Sequence, residues 1–165
     1  MTDHKSFDLD AYIDQIQNGP CFICEMIAGR LSGNHIIYQD DAVIVFLNKY
    51  PVLYGYTLVA PIAHREQVTG DFSLEEYLAL QRAVYRVAEA VRRSVTAERV
   101  YVLSLGSQQG NRHVHWHIAP LPKGVPFKEQ QLEALRAANG ILDIAESEMA
   151  DLARRIRQNI DRVLA

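Results

Sequence analysis

Residues 113–119 read His-Val-His-Trp-His-Ile-Ala. Side chains on a strand leave opposite faces in turn, so this alternation puts His113, His115 and His117 on one face and Val114, Trp116 and Ile118 on the other. Three imidazoles on one face make a poor core, which reserves that face for something other than packing. A strand over residues 100–105 and a polar, glycine-bearing loop at 106–112 lead into a strand at 113–119. Pro120 and Pro122 are expected to close the sheet after it.

Upstream, apolar runs at 36–38, 42–47 and 56–60 are divided by Gln39-Asp40-Asp41 and by residues 49–55, which reads as an antiparallel meander. Ser73-Leu74-Glu75-Glu76 carries the capping-box pattern, and Tyr77, Leu80, Ala83, Val84, Val87, Ala90 and Val91 recur three or four apart. Together they predict a helix over about 74–95. Leu9, Tyr12, Ile13 and Ile16 form a helical stripe within 6–18, capped by Ser6 or Asp8 and stopped by Asn18-Gly19-Pro20, and a short helical stretch follows at 25–30. The tail reads as helical over 130–136 and 145–163, the second with Leu152, Ile156, Ile160 and Val163 on one stripe. The class is α+β: a core at about 20–122, flanked by the helix at 6–18 and a helical extension at about 125–165.

With 17 Lys+Arg against 20 Asp+Glu, a net charge of −3 and 48% apolar residues, the 165 residues are expected to form a single domain rather than a disordered chain. The longest apolar stretches, such as 42–47, fall far short of the roughly 20 residues of a bilayer span, so no membrane role is expected. The first ten residues are polar and acidic where a secretory signal is basic and then apolar, which predicts a cytoplasmic location. A slightly acidic chain does not attract polyphosphate backbones, which argues against nucleic acid and limits a nucleotide ligand to a small one. Arg154, Arg155, Arg157 and Arg162 do not change this. Asp151 and Asp161 interrupt them, and the apolar stripe of the same helix suits core or dimer packing.

Imidazoles about 7 Å apart on one strand face resist simultaneous protonation, so at least some stay neutral at pH 7 and can attack an electrophile or ligate a metal. The same row is compatible with three ligands of a catalytic zinc, or with histidines that have no role. Cys21 and Cys24 are the chain's two thiols. A thioredoxin-like βαβ context is absent and a reducing compartment disfavours a disulfide. Two free thiols, or half of a four-ligand zinc site, remain.

Residues 113–119 fit all seven positions of His-φ-His-φ-His-φ-φ, with φ apolar, and the chain thereby resembles the histidine triad (HIT) superfamily of nucleotide hydrolases and transferases. The resemblance runs in the family's order from Cys21-Phe22-Ile23-Cys24 through Val45-Phe46-Leu47-Asn48 and residues 57–64 to Pro120. It implies a homodimer of α+β protomers that takes a purine nucleotide or dinucleotide, with His115 attacking the α-phosphorus and His113 and His117 beside it. His117 would bond a phosphate oxygen or help to hold the site's protons.

By the same resemblance, Gly106, Ser107 and Gln109 would cradle phosphate, Phe46 and Leu47 would face the base, and Asn48 would meet the ribose. A turn-forming Asn at a strand end is the other reading of Asn48. Gln109 stands at the family's glutamine position. Gly110 replaces its Ser or Thr hydroxyl, Ser104 stands near an Asn of many relatives, and Tyr56 stands where many carry His; Tyr56 is given no catalytic role. Several bacterial members complete a zinc site from positions matching Cys21, Cys24, His64 and His113, so a structural zinc is implied that would couple His113 to fold stability. The rival functions are a nucleotide-binding module without turnover and a zinc-dependent hydrolase.

Overall fold

Apolar residues two apart build a sheet in this chain, and those three and four apart build the helices that cover it. A computed structural model describes residues 4–163 in the order β1 (His4–Lys5), α1 (Leu9–Asn18), α2 (Phe22–Ile27), β2 (Ile36–Gln39), β3 (Val43–Leu47), β4 (Thr57–Pro61), α3 (Leu74–Ser94), β5 (Arg99–Ser104), β6 (Trp116–Leu121), β7 (Ile141–Leu142) and α4 (Glu146–Val163). Five strands form an antiparallel sheet in the order β2-β3-β4-β6-β5, so the class is α+β as the sequence implies. Among the described residues no helix is long and apolar enough to cross a membrane.

One face of the sheet is roofed by α3 and α4. Leu80, Val84 and Val87 of α3 meet Leu152, Ile156 and Ile160 of α4 over Val45, Val59, Trp116 and Ile118. Removing each of these aliphatic side chains from water contributes about 2 kcal/mol, which is why the stripe on α4 belongs to the core and its arginines do not. The capping box forms: Ser73 Oγ accepts from the Glu76 amide at 3.2 Å, and Glu76 Oε2 accepts from the Ser73 amide at 2.7 Å.

The opposite face has a thinner cover. Ile44, Phe46, Leu58 and Ala60 pack there against Ile23 and Met26 of the six-residue α2 and against Val52 and Leu53 of the β3–β4 connection. So short a helix covers only part of the sheet, and the histidine face of β6 lies on this side.

Several expectations change in detail. The triad strand begins at Trp116 rather than His113. The chain before it is held by bonds outside the ladder, from the Val114 amide to the Arg65 carbonyl at 2.7 Å and from Ser104 Oγ to the His115 carbonyl at 2.8 Å. Alternation nevertheless persists through residues 113–118, with Val114, Trp116 and Ile118 all in the cluster under α3.

Pro120 does not end the sheet. It lies inside β6, paired with Val100 of β5, beyond the last β4 partner at Ile118, where one flank of β6 has no neighbour and a missing N–H is tolerated. Residues 130–136 are not an α-helix. Single 3₁₀ turns at Phe127–Glu129, Glu133–Leu135 and Ala137–Asn139 occupy that stretch. The short helix near the cysteines is Phe22–Ile27 rather than 25–30, and α1 is capped by Asp8, whose Oδ1 accepts from the Ala11 amide at 3.0 Å.

Candidate active site and metal-ligand cluster

His115 is the most constrained of the three histidines. Its Nδ1 lies 2.7 Å from the carbonyl of His113, and because a carbonyl only accepts, Nδ1 carries the proton. The lone pair is therefore on Nε2, which has no hydrogen-bond partner among the described residues. Its side chain lines a cavity of about 180 Å³ shared with Phe22, Phe46, Leu47, Asn48 and His117. Burial lowers the pKa of His115, partly opposed by the bond to His113, so the ring is neutral at pH 7.

His117 lies two residues along the same face, its ring centroid 4.7 Å from that of His115. Burial, with a smaller contribution from His115, pushes its pKa down to about 3. Its Nδ1 meets Tyr56 Oη at 2.9 Å, while Nε2 is buried without a partner. Two neutral rings side by side, one with a bare lone pair, can attack an electrophile and hold an anion's oxygen, chemistry that protonated imidazoles could not share.

His113 faces elsewhere. Its Nε2 donates to the Pro61 carbonyl at 2.9 Å, which fixes the proton there and turns the Nδ1 lone pair toward Cys21 Sγ and Cys24 Sγ, each 3.6 Å away. His64 completes the group: its Nδ1 is 3.3 Å from Cys24 Sγ, and its Nε2 is 3.1 Å from the Glu66 carboxylate. The four donor atoms lie within 4.8 Å of one another. Two thiols and two imidazoles, each ring bonded to an acceptor through its far nitrogen, match the chemistry of a four-coordinate zinc site. Burial, then the bond to Cys21, pushes the Cys24 thiol up to about 11, and burial lowers His113 to about 4. Among the described residues the three triad rings do not form one metal cluster: all three line the cavity, but the ring nitrogens of His113 turn to the thiols and to the Pro61 carbonyl.

The expected nucleotide-binding residues divide into two groups. Phe46 is buried on β3, edge to face with Phe22 at 6.2 Å, and Phe22 in turn is edge-on to His115 at 6.3 Å, so Phe46, Leu47 and Asn48 line the cavity beside the histidines. Asn48 also forms the turn, its Oδ1 accepting from the Tyr50 amide at 2.9 Å, so both readings of this residue apply.

Gly106, Ser107 and Gln109 are exposed and do not line the cavity. Ser107 and Gly110 exchange backbone bonds, and the Gln109 amide donates to Ser107 Oγ at 3.1 Å. Gly106 has φ +119, and a Cβ there would stand 2.5 Å from the Asn111 carbonyl oxygen, so only glycine fits.

The cavity has walls that the sequence pattern did not reveal. Tyr12, Gln15 and Ile16 of α1 close it from above, and a Cβ on Gly110 would come 3.3 Å from Ile16 Cδ1. The glycine at the family's hydroxyl position is thus where α1 approaches the triad loop. Asn111, at φ 54, and Arg112 also line it, and Asn111 Oδ1 is buried without a partner. An Asn two residues before the triad was a legible sign of a left-handed turn, whereas nothing in the stripe of α1 marked that helix as a wall of the cavity.

Comparison with known proteins agrees with this geometry. A family model for the HIT domain matches residues 32–124. An uncharacterized HIT-like protein of Saccharolobus solfataricus is 33% identical over 124 residues, covering 68% of this chain and 88% of the relative. The Bacillus subtilis protein called protein hit is 31% identical over 105 residues, 61% of this chain and 70% of its own. Among solved structures, a hypothetical histidine triad nucleotide-binding protein of Sulfolobus tokodaii superposes with TM-score 0.69 at 25% identity, over 87% of this chain and 93% of that one. A zinc-bound histidine triad family protein of Mycobacterium smegmatis shares the fold, with TM-score 0.67 at 22% identity over 87% and 96% of the two chains. The chain belongs to the HIT family.

Proposed function

We propose that this protein is a nucleotidyl hydrolase or transferase that acts at the α-phosphate of a dinucleoside polyphosphate or a nucleoside phosphoramidate through His115. The observation that carries this reading is the 2.7 Å bond from His115 Nδ1 to the His113 carbonyl, which commits the lone pair to Nε2 at the cavity. In the first step Nε2 forms a bond to phosphorus while the bond from phosphorus to the leaving oxygen or nitrogen breaks, and the leaving group takes up a proton. In the second step water attacks phosphorus, the N–P bond breaks, and nucleoside monophosphate leaves. Phe46 would hold the purine, Asn48 the ribose and His117 Nε2 a phosphoryl oxygen; Leu47, expected beside the base, instead packs its side chain in the cluster under α3 and α4. The Sulfolobus tokodaii relative, itself described as nucleotide-binding, supports a nucleotide as the ligand.

Cys21, Cys24, His64 and His113 would hold a structural zinc, and the zinc-bound Mycobacterium smegmatis neighbour supports that assignment. When bound, such an ion crosslinks its ligands and offers no open position to water. His113 would then act by orienting: its carbonyl sets the tautomer of His115 while its ring anchors the preceding loop. A homodimer is supported by edge strand β5, where Val102 and the following Leu105 are 47% and 46% exposed.

A binding module without turnover is the second reading, favoured by the exposed Gln109 and the missing hydroxyl at Gly110. Adenosine phosphoramidate and diadenosine tetraphosphate separate the two. The enzyme reading predicts release of AMP from at least one of them. Saturable nucleotide binding with no release from either would overturn it.

A further inference from the structure

We infer that Tyr56 is a positioning residue: its phenol donates to His117 Nδ1, holds that ring in the tautomer protonated at Nε2, and so presents an N–H to an anionic phosphoryl oxygen beside His115. The inference rests on the reading of the cavity as a nucleotide site, but it concerns a residue outside the triad.

The geometry is specific. Tyr56 immediately precedes β4, and the register pairs Leu58 with His117, which brings Tyr56 onto the same face one step along. Its backbone is fixed by bonds from its amide to the Leu53 carbonyl at 3.2 Å and from the Asn48 amide to its carbonyl at 2.8 Å. The side chain is 5% exposed, and Oη lies 2.9 Å from His117 Nδ1 with no other hydrogen-bond partner among the described residues.

Two proton arrangements satisfy this contact. If Nδ1–H donated to the phenol oxygen, the buried Nε2 would be a bare lone pair on a ring whose centroid is 4.7 Å from that of His115, with both side chains lining the one cavity. That arrangement would repel an anion from both nitrogens. If the phenol donates, Nε2 carries the proton and one nucleophile stands beside one donor, which suits attack on an anionic phosphoryl group. Burial raises the pKa of Tyr56, so the phenol keeps its proton at any pH at which the protein works. The partnerless buried Nε2 is the atom that a phosphoryl oxygen would satisfy.

The test is nitrogen-15 NMR of histidine-labelled protein, with His117 assigned by difference from His117→Gln, together with kinetics of Tyr56→Phe. In the wild type His117 is expected to show an unprotonated Nδ1 and a protonated Nε2, and added AMP should shift Nε2. Tyr56→Phe should move His117 toward a mixture of tautomers and lower kcat about tenfold to a hundredfold, with KM changed far less. A wild-type His117 protonated at Nδ1 would overturn the inference. So would a Tyr56→Phe protein with unchanged His117 shifts and unchanged kcat. The wild-type spectrum decides the point even where the variant folds poorly. Absence of turnover with the Nε2–H tautomer in place would refute the catalytic reading and leave the role of Tyr56 standing.

Discussion

His115→Asn is expected to lower turnover at least about a thousandfold while leaving nucleotide affinity within a few fold. The magnitude follows from what is removed. A covalent route divides one difficult displacement into two easier ones, and loss of the nucleophile leaves only binding and electrostatic contributions to rate. Asparagine is the informative replacement because its amide N–H can still donate to the His113 carbonyl, now 2.7 Å from Nδ1, so the loop before β6 keeps its bond. No nitrogen lone pair remains in place of Nε2. Steady-state kinetics on the better substrate, with nucleotide titration by calorimetry, reads both quantities. Turnover within tenfold of wild type would show that phosphorus is attacked by something else.

Loss of the metal should have an equally large effect, on stability rather than on chemistry. Purified wild type is expected to carry one zinc per chain, and Cys24→Ser to carry almost none and to melt lower by on the order of 10 °C. Cys21 and Cys24 flank the start of α2, His64 follows β4 and His113 precedes β6, so one ion would tie together three segments far apart in sequence. Without it, the four side chains meet one another through contacts of 3.3–3.6 Å to sulfur in place of metal–ligand bonds. Metal analysis and thermal melts check this. Freshly prepared wild type without zinc, or a Cys24→Ser variant that melts with the wild type, would contradict it. The kinetics also discriminate: a chelator should abolish turnover only as fast as the fold loosens, whereas instantaneous loss in a folded protein would point to a zinc-dependent hydrolase.

Local patterns were legible wherever one element's own residues determine its environment. The alternation at 113–119 announced its two faces, the capping box located the start of α3, and the stripe on α4 identified a core helix. Cys21, Cys24, His64 and His113 could be grouped from the sequence only through its resemblance to bacterial HIT proteins, because the two cysteines by themselves supply half of a four-ligand site.

What stayed hidden depends on contacts distant in sequence. β1 and β7 are two residues each, too short to carry a period, and exist because His4 and Lys5 pair with Leu142 and Ile141. The stretch 130–136 had helical composition, but its 3₁₀ turns bring Leu135 and Ala137 against the thinner-covered face of the sheet, so packing overrode propensity. Tyr56 looked like a lost histidine, and only the β4–β6 register shows it beside His117. The cover supplied by α1 was illegible for the same reason, since none of its residues is fully buried and nothing in its own stripe names its partner.

The stereochemistry of the reaction tests the central claim most directly. Hydrolysis in heavy-oxygen water of a nucleoside α-phosphorothioate substrate with one configuration at phosphorus reports how many displacements occurred. Passage through a nucleotidyl group on His115 requires two in-line displacements, so the product is predicted to retain the configuration. Inversion would mean that water attacks phosphorus directly, and no covalent role for His115 would survive it.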